Sequence, residues 1–281
     1  MSESGRERSR DVVVMGASAG GLEVLTTILA GLPERFPATV TIVQHRPPDA
    51  SNRLRDLLGR ETKLPIEWAE QGGRHEPGRV YLAPPDLHLT FSDGHFNLTA
   101  SARENHARPS INRLFRSAAA HYGSRTIGVL LTGLLDDGVA GLVAISRVGG
   151  QTVVQDPATA TAPELPRNGI TAVPTSRVTS PHAIAAVLVE AVTSPAPGNA
   201  VPERIRLESE IDLRTARPEE LDRIGERTAT TCSECGGPLW RVPDGGPLRY
   251  RCFLGHRCRR TTASPAPTPR SRLRCGTRYA R

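Results

Sequence analysis

The chain has no apolar run that approaches the roughly 20 residues needed to cross a bilayer. Its first ten residues, MSESGRERSR, are polar and lack the apolar core of a signal peptide. The first 230 residues also contain no cysteine, so no disulfide can connect them. These absences argue against a membrane-spanning or secreted, disulfide-rich protein, and we expect a cytoplasmic one.

Lysine is almost absent, since Lys63 is the only one in the chain. A phosphate-binding P-loop needs a lysine within G-x-x-x-x-G-K-[ST], and the sequence has no such motif. A dinucleotide-binding turn needs G-x-G-x-x-G after the first strand, but Ser18 stands where the second glycine is required. His45 also occupies the region where an acidic residue would be expected. Nucleotide binding is therefore not favoured.

Acidic residues are absent from the last 25 residues, which contain eight arginines and no lysine. The formal net charge of the whole chain is +7, so the other 256 residues carry −1. The basic character therefore belongs to a tail and not to a folded face, and we expect no nucleic-acid partner.

Short β-branched runs alternate with amphipathic helical patterns through the first 190 residues. We predict strands over 11–15, 39–44, 126–131 and 151–154. The stretch 78–99 interrupts this order with two or three short strands around a Ser-Asp-Gly turn. The pattern predicts an α/β fold with a doubly wound, mostly parallel sheet and a small antiparallel excursion, plus a small C-terminal zinc-ribbon-like unit.

Composition divides the chain into four parts. Residues 8–193 form the α/β domain, and residues 194–230 are predicted to be a linker with a helical pattern around PEELDRIGER. Residues 231–258 form a compact Cys/His segment. Residues 259–281, rich in Arg, Pro, Thr and Ser, are predicted to be a disordered basic tail.

Three residues with catalytic chemistry follow predicted strands. Ser18 follows the first strand, His45 the second, and Asp137 a later one. In open α/β sheets the carboxyl ends of parallel strands gather functional groups at one edge. A serine, an imidazole and a carboxylate together can activate a hydroxyl nucleophile. Each residue alone also has an ordinary structural explanation, as a turn residue, a packed ring or a helix start.

The small residues around Ser18 fit the pattern G-x-S-x-G, which exposes a serine on a sharp turn between a strand and a helix. The N–H groups that open the next helix suit a developing oxyanion, and we expect Ala19 and Gly20 to belong to the oxyanion and substrate loop. The chain order Ser, His, Asp differs from that of α/β-hydrolases, where the acid precedes the histidine.

Over about residues 10–193, the sequence resembles the catalytic domain of the chemotaxis protein-glutamate methylesterases of the CheB type. The shared motifs, in the family's order, are GASAGG, IVQHRPP, EPGRVYLAPPDLHL, RPSINRLFRSAA, GVLLTGLLDDGVAGL and GGQTVVQDPATA.

The resemblance implies that Ser18 is the nucleophile, His45 the general base and Asp137 the acid that orients the histidine, with Asp136 as the alternative. It implies hydrolysis of glutamate γ-methyl esters, with release of methanol, and deamidation of certain glutamines, both without a cofactor. The implied partners are a methyl-accepting chemotaxis receptor or a related signalling protein, and the opposing methyltransferase.

The sequence departs from the family in three places. The two-component members carry an N-terminal receiver domain, whereas the first catalytic strand starts here near residue 11, so we do not expect control by phosphorylation. The usual TGMG-x-DG is TGLLDDG here, with Leu134 and Leu135 in place of Met and Gly. The resemblance implies that this loop lies beside the site, and we expect Leu134 to complete the oxyanion and substrate loop with Ala19 and Gly20. APELP stands where a Gly-Met-Pro turn is common. Two alternatives therefore stay open: a signalling scaffold with the same fold, and a serine hydrolase of other small esters or amides.

The C-terminal segment contains two pairs of metal-ligating residues, Cys232-x2-Cys235 and Cys252-x3-His256. This spacing predicts a zinc ribbon with three thiolates and one imidazole as ligands. Cys258 is a competitor for the position of His256. A site with four protein ligands is closed, so we expect structural zinc and no zinc chemistry.

Overall fold

The computed structural model describes residues 9–46, 53–243 and 248–259. The predicted tail beyond residue 259 lies outside the described residues. None of the helices in the described part of the chain combines the length and the hydropathy of a membrane-spanning segment.

The described residues form thirteen strands in three sheets. The central sheet has seven strands in the order β3-β4-β2-β1-β7-β8-β9, and every neighbouring pair is parallel. This confirms the predicted doubly wound α/β class. The strands are β1 Val12–Ala17, β2 Thr39–Gln44, β3 Ile66–Trp68, β4 Val80–Leu82, β5 His88–Ser92, β6 His95–Thr99, β7 Thr126–Leu130, β8 Gln151–Gln155, β9 Arg177–Thr179, β10 Glu226–Thr231, β11 Pro238–Val242, β12 Arg249–Cys252 and β13 Arg257–Arg259.

Eight α-helices are described, and six of them belong to the α/β domain. Alternate residues of β1 face opposite sides of the sheet, so Val13 and Met15 join one core while Val12 and Val14 join the other. Helices therefore cover both faces of the sheet. The helices are α1 Gly21–Ala30, α2 Arg53–Gly59, α3 Ile111–Tyr122, α4 Val139–Arg147, α5 Glu164–Ala172, α6 Pro181–Thr193, α7 Glu203–Asp212 and α8 Pro218–Ile224.

The predicted strands of the stretch 78–99 separate into two structures. β4 joins the central sheet as a parallel strand beside β2. β5 and β6 pair with each other as an antiparallel hairpin. Asp93 and Gly94 both have positive φ, as the tight turn of such a hairpin requires. Within the described residues, the predicted antiparallel excursion thus corresponds to this hairpin.

The segment 194–230, which the sequence predicts to be a linker, contains two helices and a strand. α8 lies within the predicted helical pattern, but α7 precedes it and packs against α3. Ile205, Leu207 and Ile211 of α7 are buried, and its Glu208 and Asp212 are buried as well. The charged composition that suggests a solvated linker instead supplies partners for arginines on α3 and in the C-terminal sheet. We call the described residues from α7 to the start of β13, 203–243 and 248–257, the C-terminal unit.

Candidate active site

Ser18, His45 and Asp137 lie at the carboxyl edge of three neighbouring strands. Ser18 directly follows β1, and His45 directly follows β2. Asp137 lies in the loop between β7 and α4. Because β2, β1 and β7 are adjacent in the sheet, these loops meet above the same edge.

The structure brings the three side chains into one hydrogen-bonded chain. Ser18 Oγ lies 3.3 Å from His45 Nδ1, and Asp137 Oδ2 lies 2.8 Å from His45 Nε2. An ionised carboxylate can only accept a hydrogen bond, so the neutral imidazole carries its proton on Nε2. The lone pair of Nδ1 then faces the Ser18 hydroxyl. The arrangement can therefore transfer the hydroxyl proton to the imidazole and stabilise the resulting imidazolium.

Asp137, and not Asp136, is the carboxylate that contacts the histidine. Asp137 is 4% exposed, whereas Asp136 is half-buried and its Oδ1 accepts a 3.5 Å hydrogen bond from the Asn105 amide. The backbone oxygen of Asp136 accepts from the Val139 N–H and so closes the turn before α4. Of the two residues between which the sequence left a choice, the structure therefore places Asp137 in contact with His45.

The start of α3 surrounds the Asp137 carboxylate with donors. Ser110 Oγ donates to Oδ1 at 2.8 Å, the Ile111 N–H donates to Oδ2 at 2.7 Å, and the Asn112 N–H donates to Oδ1 at 3.2 Å. The positive end of the helix dipole lies at the same place. Asn112 also accepts from the N–H of Gly138 with its Oδ1 and so fixes the residue after Asp137.

Sequence reasoning missed Ser110, although one signal was available. A serine after a proline and before an apolar stripe is a typical helix N-cap, and Ser110 does accept from the Arg113 N–H at 3.4 Å. That pattern indicates a helix start but not that the same hydroxyl donates to Asp137. The contact depends on how α3 packs against the loop after β7.

The turn that carries Ser18 is fixed from both sides. The Ser18 N–H donates to the Thr132 carbonyl at 2.9 Å, and the Ser18 carbonyl accepts from the Gln44 side chain at 2.8 Å. Gly20 has φ +78°, and a Cβ there would lie 2.5 Å from Thr161 Cβ, so this position requires glycine. Gln44 is a second residue that the sequence alone did not single out.

The predicted oxyanion and substrate loop surrounds this turn. In the part of the chain that the structure describes, the N–H groups of Ala19 and Gly20 have no backbone acceptor, as expected for groups that open α1. Gly133 packs against Ser18, because a Cβ at Gly133 would lie 2.9 Å from Ser18 Cβ. The next two residues, Leu134 and Leu135, are 46% and 42% exposed and form an apolar rim.

Comparison with known protein families matches residues 13–188 to the family described as CheB methylesterase. The chain belongs to the CheB methylesterase family. The crystal structure of the CheB methylesterase catalytic domain from Thermotoga maritima is similar, with a TM-score of 0.62 and 34% identity, over 65% of this chain and 98% of that one.

Relatives named as enzymes of this family differ in how much of their length is matched. A putative protein-glutamate methylesterase/protein-glutamine glutaminase of Leptospira interrogans is 38% identical over 64% of this chain and 93% of its own length. Protein-glutamate methylesterase/protein-glutamine glutaminase 2 of Anaeromyxobacter dehalogenans is 42% identical over 53% of this chain, and the chain spans only 44% of that relative.

The predicted metal ligands lie beyond the family match, in the C-terminal unit. The ligand atoms of Cys232, Cys235, Cys252 and His256 all lie within 4.8 Å of one another. Cys235 Sγ and Cys252 Sγ are 3.7 Å apart, and Cys252 Sγ and His256 Nδ1 are 3.4 Å apart. Zinc–sulfur bonds of about 2.3 Å in a tetrahedral site place sulfurs about 3.8 Å apart, so this donor set fits Zn²⁺.

The structure also describes the environment of these thiols. The hydrogen bond between Cys252 and Cys232 lowers the pKa of the Cys232 thiol and raises the pKa of the Cys252 thiol, because one sulfur holds the proton that the other accepts. Cys232 and Cys252 are buried and lie in the core of the small sheet formed by β10–β13. The side chain of Cys258, the competing ligand, lies outside the described residues.

Proposed function

We propose that this protein is a serine hydrolase that removes methyl groups from glutamate γ-methyl esters of a methyl-accepting chemotaxis receptor or a related signalling protein. The observation that carries the proposal is the chain Ser18–His45–Asp137, with contacts of 3.3 and 2.8 Å, in a member of the CheB methylesterase family. A substrate on the cytoplasmic helices of a receptor would place the enzyme in the cytoplasm. The esters would be made by an opposing methyltransferase.

The geometry supports a two-step mechanism. Ser18 Oγ attacks the γ-carbonyl carbon of the methylated glutamate while His45 Nδ1 takes the hydroxyl proton. The backbone N–H groups of Ala19 and Gly20 are available to stabilise the oxyanion. The imidazolium then protonates the departing methoxide, which leaves as methanol, and an acyl-enzyme remains on Ser18.

The second step regenerates the enzyme. His45 removes a proton from water, the resulting nucleophile attacks the acyl carbon, and Ser18 leaves with the proton returned by the imidazolium. The product is the free glutamate carboxylate. A glutamine side chain can follow the same path with ammonia as the leaving group, which accounts for a second, deamidating activity.

The test is release of methanol from a methylated receptor cytoplasmic fragment. We expect turnover by the wild-type protein and a loss of at least about 10³-fold in Ser18→Ala. Ser180→Ala is the matched control, because Ser180 precedes α6 and its side chain makes no capping hydrogen bond. Equal rates for wild type and Ser18→Ala would remove Ser18 as the nucleophile.

The same experiment separates the alternatives. A wild-type protein that binds the receptor fragment but releases no methanol would be a signalling scaffold. A wild-type protein that is inactive on the receptor but reacts at Ser18 with a fluorophosphonate would be a serine hydrolase of other esters or amides.

We also propose that Cys232, Cys235, Cys252 and His256 bind one structural Zn²⁺. We expect about one zinc per chain by metal analysis, lost in Cys232→Ser and in His256→Ala but retained in Cys258→Ser. Zinc that is retained by His256→Ala and lost by Cys258→Ser would instead assign Cys258 as the fourth ligand. A metal-free protein with a folded C-terminal sheet would contradict the proposal.

A further inference from the structure

Eight buried charged residues connect the α/β domain to the C-terminal unit, and we call them the ionic cluster. All of them are at most 7% exposed. They come from the segment before α3, from α3 itself, from α7 and from β12–β13. The members are Glu104, Arg113, Arg116, Glu208, Asp212, Arg249, Arg251 and Arg257.

Asp212 and Glu104 hold the centre of the ionic cluster. Arg116 of α3 donates to Asp212 Oδ2 and to Glu104 Oε2, both at 2.8 Å. Arg257 of the C-terminal unit donates to both of the same carboxylates, and Arg251 donates to Asp212 Oδ1 at 2.5 Å. Because these charges are desolvated, removal of one partner leaves the others unpaired and is strongly unfavourable. Buried ion pairs thus join the C-terminal unit to α3 and to the segment before it, and neither side can lose a partner without leaving charges unpaired.

A path of hydrogen bonds runs from this attachment toward the active site. Arg113 donates to the backbone carbonyl of Asp212 at 3.1 Å and to that of Ala102 at 2.9 Å. The buried ring of His88 contacts the same Ala102 carbonyl through Nε2 at 3.1 Å. Its Nδ1 accepts the Ser110 N–H at 3.2 Å. The ring of His88 therefore fixes Ser110, and both His88 and Arg113 contact the carbonyl of Ala102.

The path ends on the carboxylate that orients the histidine. The hydroxyl of Ser110 donates to Asp137 Oδ1 at 2.8 Å, and Asp137 Oδ2 contacts His45 at 2.8 Å. A small displacement of Ser110 would therefore move the acceptor of the His45 N–H. Displacements of this kind near a reacting group lower the rate of catalysis much more than they lower the affinity for the substrate.

We propose that Arg113, His88 and Ser110 are positioning residues through which the docked C-terminal unit holds Asp137 against His45. The inference rests on the proposed function for its kinetic test. The attachment of the C-terminal unit to α3 then acts on the chemistry at Ser18 through these hydrogen bonds.

The first variants address Ser110 itself. We expect Ser110→Ala to lower kcat about tenfold with KM changed less than twofold, because the bond to Asp137 is lost while the substrate site remains. Ser110→Thr keeps the hydroxyl and should restore most of kcat. Equal losses in both variants would mean that Ser110 matters only for packing, and this would overturn its positioning role.

The second set addresses the connection to the C-terminal unit. We expect Arg113→Gln to lower kcat about tenfold, and the double variant Ser110→Ala/Arg113→Gln to lose about tenfold and not a hundredfold, since both act on one bond. Arg241→Gln is the matched control, because the Arg241–Glu226 pair is exposed and lies on the small sheet. Fully additive losses, or an equal loss in Arg241→Gln, would overturn the coupling.

A measurement without substrate distinguishes failure of this inference from failure of the proposed function. The proton between His45 Nε2 and Asp137 should give a downfield NMR resonance in the wild-type protein. We expect it to shift or broaden in Ser110→Ala and Arg113→Gln and to stay unchanged in Arg241→Gln. If Arg113→Gln does not fold, Arg113→Lys, which keeps the charge without the planar fork, replaces it. An unchanged resonance in a folded Arg113 variant would refute the inference even if the receptor assay shows no turnover.

Discussion

Asp137 shares one carboxylate oxygen, Oδ2, between the ring of His45 and the first N–H of α3. The two contacts are 2.8 Å to His45 Nε2 and 2.7 Å to the Ile111 nitrogen. The start of a helix and the orientation of an imidazole are therefore fixed at the same atom. Any group that replaces this oxygen has to accept two hydrogen bonds.

Asp137→Asn should abolish most of the activity while the fold is kept. If the NH₂ group of the new asparagine occupies the position of Oδ2, it faces the N–H groups of His45 and Ile111. If the NH₂ group occupies the position of Oδ1, it faces the Ser110 hydroxyl and the Asn112 N–H. With the NH₂ at Oδ2, the His45 ring loses the acceptor that keeps its proton on Nε2. With the NH₂ at Oδ1, the Asn112 N–H loses its acceptor, and we expect the side chain to be displaced from His45. We expect kcat to fall by about 10³–10⁴-fold in the methanol-release assay.

Asp136→Asn is the control for that substitution. Asp136 is half-buried and closes the turn before α4 through its backbone oxygen, which the substitution retains. We expect its kcat to remain within about threefold of wild type. A larger loss in Asp136→Asn than in Asp137→Asn would show that the wrong carboxylate has been assigned.

Gly133→Ala should damage the site by steric contact. A Cβ at Gly133 would lie 2.7 Å from Leu165 Cδ2 and 2.9 Å from Ser18 Cβ, so Ser18 or the loop has to move. We expect kcat to fall at least about tenfold while the circular dichroism spectrum is unchanged. Gly198→Ala is the control, because nothing lies within 4 Å of the added atom there. Full activity in Gly133→Ala would show that the loop adapts without moving Ser18.

The positions of Ser18, His45 and Asp137 could be predicted because each follows a strand whose pattern is clear in the sequence. Parallel strands place their carboxyl ends at one edge, so three loops far apart in the chain have to meet. The support around Asp137 could not be predicted in the same way. Ser110 reaches it only because α3 packs across the sheet and directs its first turn at the loop after β7.

The burial of charged residues in the segment 194–230 is a second feature that could not be predicted from the sequence. Its charges predict solvent exposure, yet Glu208 and Asp212 are 5% and 3% exposed. Their partner Arg116 lies about a hundred residues earlier, and Arg249 and Arg251 lie about forty later. Composition shows how many charges a segment has but not whether distant charges of the opposite sign will cover them.

Leu135→Gly should stabilise the protein. Leu135 has φ +62°, a left-handed conformation that costs a residue with a Cβ about 1–2 kcal/mol. Its side chain is 42% exposed, so its removal also gives up some packing, which offsets part of this gain. After this loss and the entropy cost of glycine, we expect the free energy of unfolding to rise by up to about 0.5 kcal/mol in urea denaturation.

Leu134→Gly is the matched control for that prediction. Leu134 is similarly exposed, but its φ is not positive, so glycine there only adds freedom to the unfolded chain. We expect it to lower the free energy of unfolding by about 0.5–1 kcal/mol. The same change in both variants would show that backbone conformation at Leu135 stores no strain.

His88→Gln should change how stability depends on pH. Burial, followed by the nearby charge of Arg113, holds the pKa of His88 well below its usual 6.5. The folded protein therefore keeps the ring neutral, while the unfolded chain takes up a proton as the pH falls below about 6.5. The unfolded state binds more protons there, so wild-type stability falls as the pH falls, by up to about 1.4 kcal/mol per pH unit from this residue.

Glutamine can donate and accept as the neutral ring does, but it does not titrate. We expect His88→Gln to have a lower free energy of unfolding than wild type at pH 7, because the packing of the ring is lost. In urea denaturation, the difference in unfolding free energy between the two proteins should narrow steadily from pH 6.5 to pH 4.5. His182→Gln is the control for the substitution, because His182 is exposed and its replacement removes no buried ring. A gap between wild type and His88→Gln that stays constant over this range would mean that His88 takes up its proton in the folded protein too, and that the Ser110 N–H finds another acceptor.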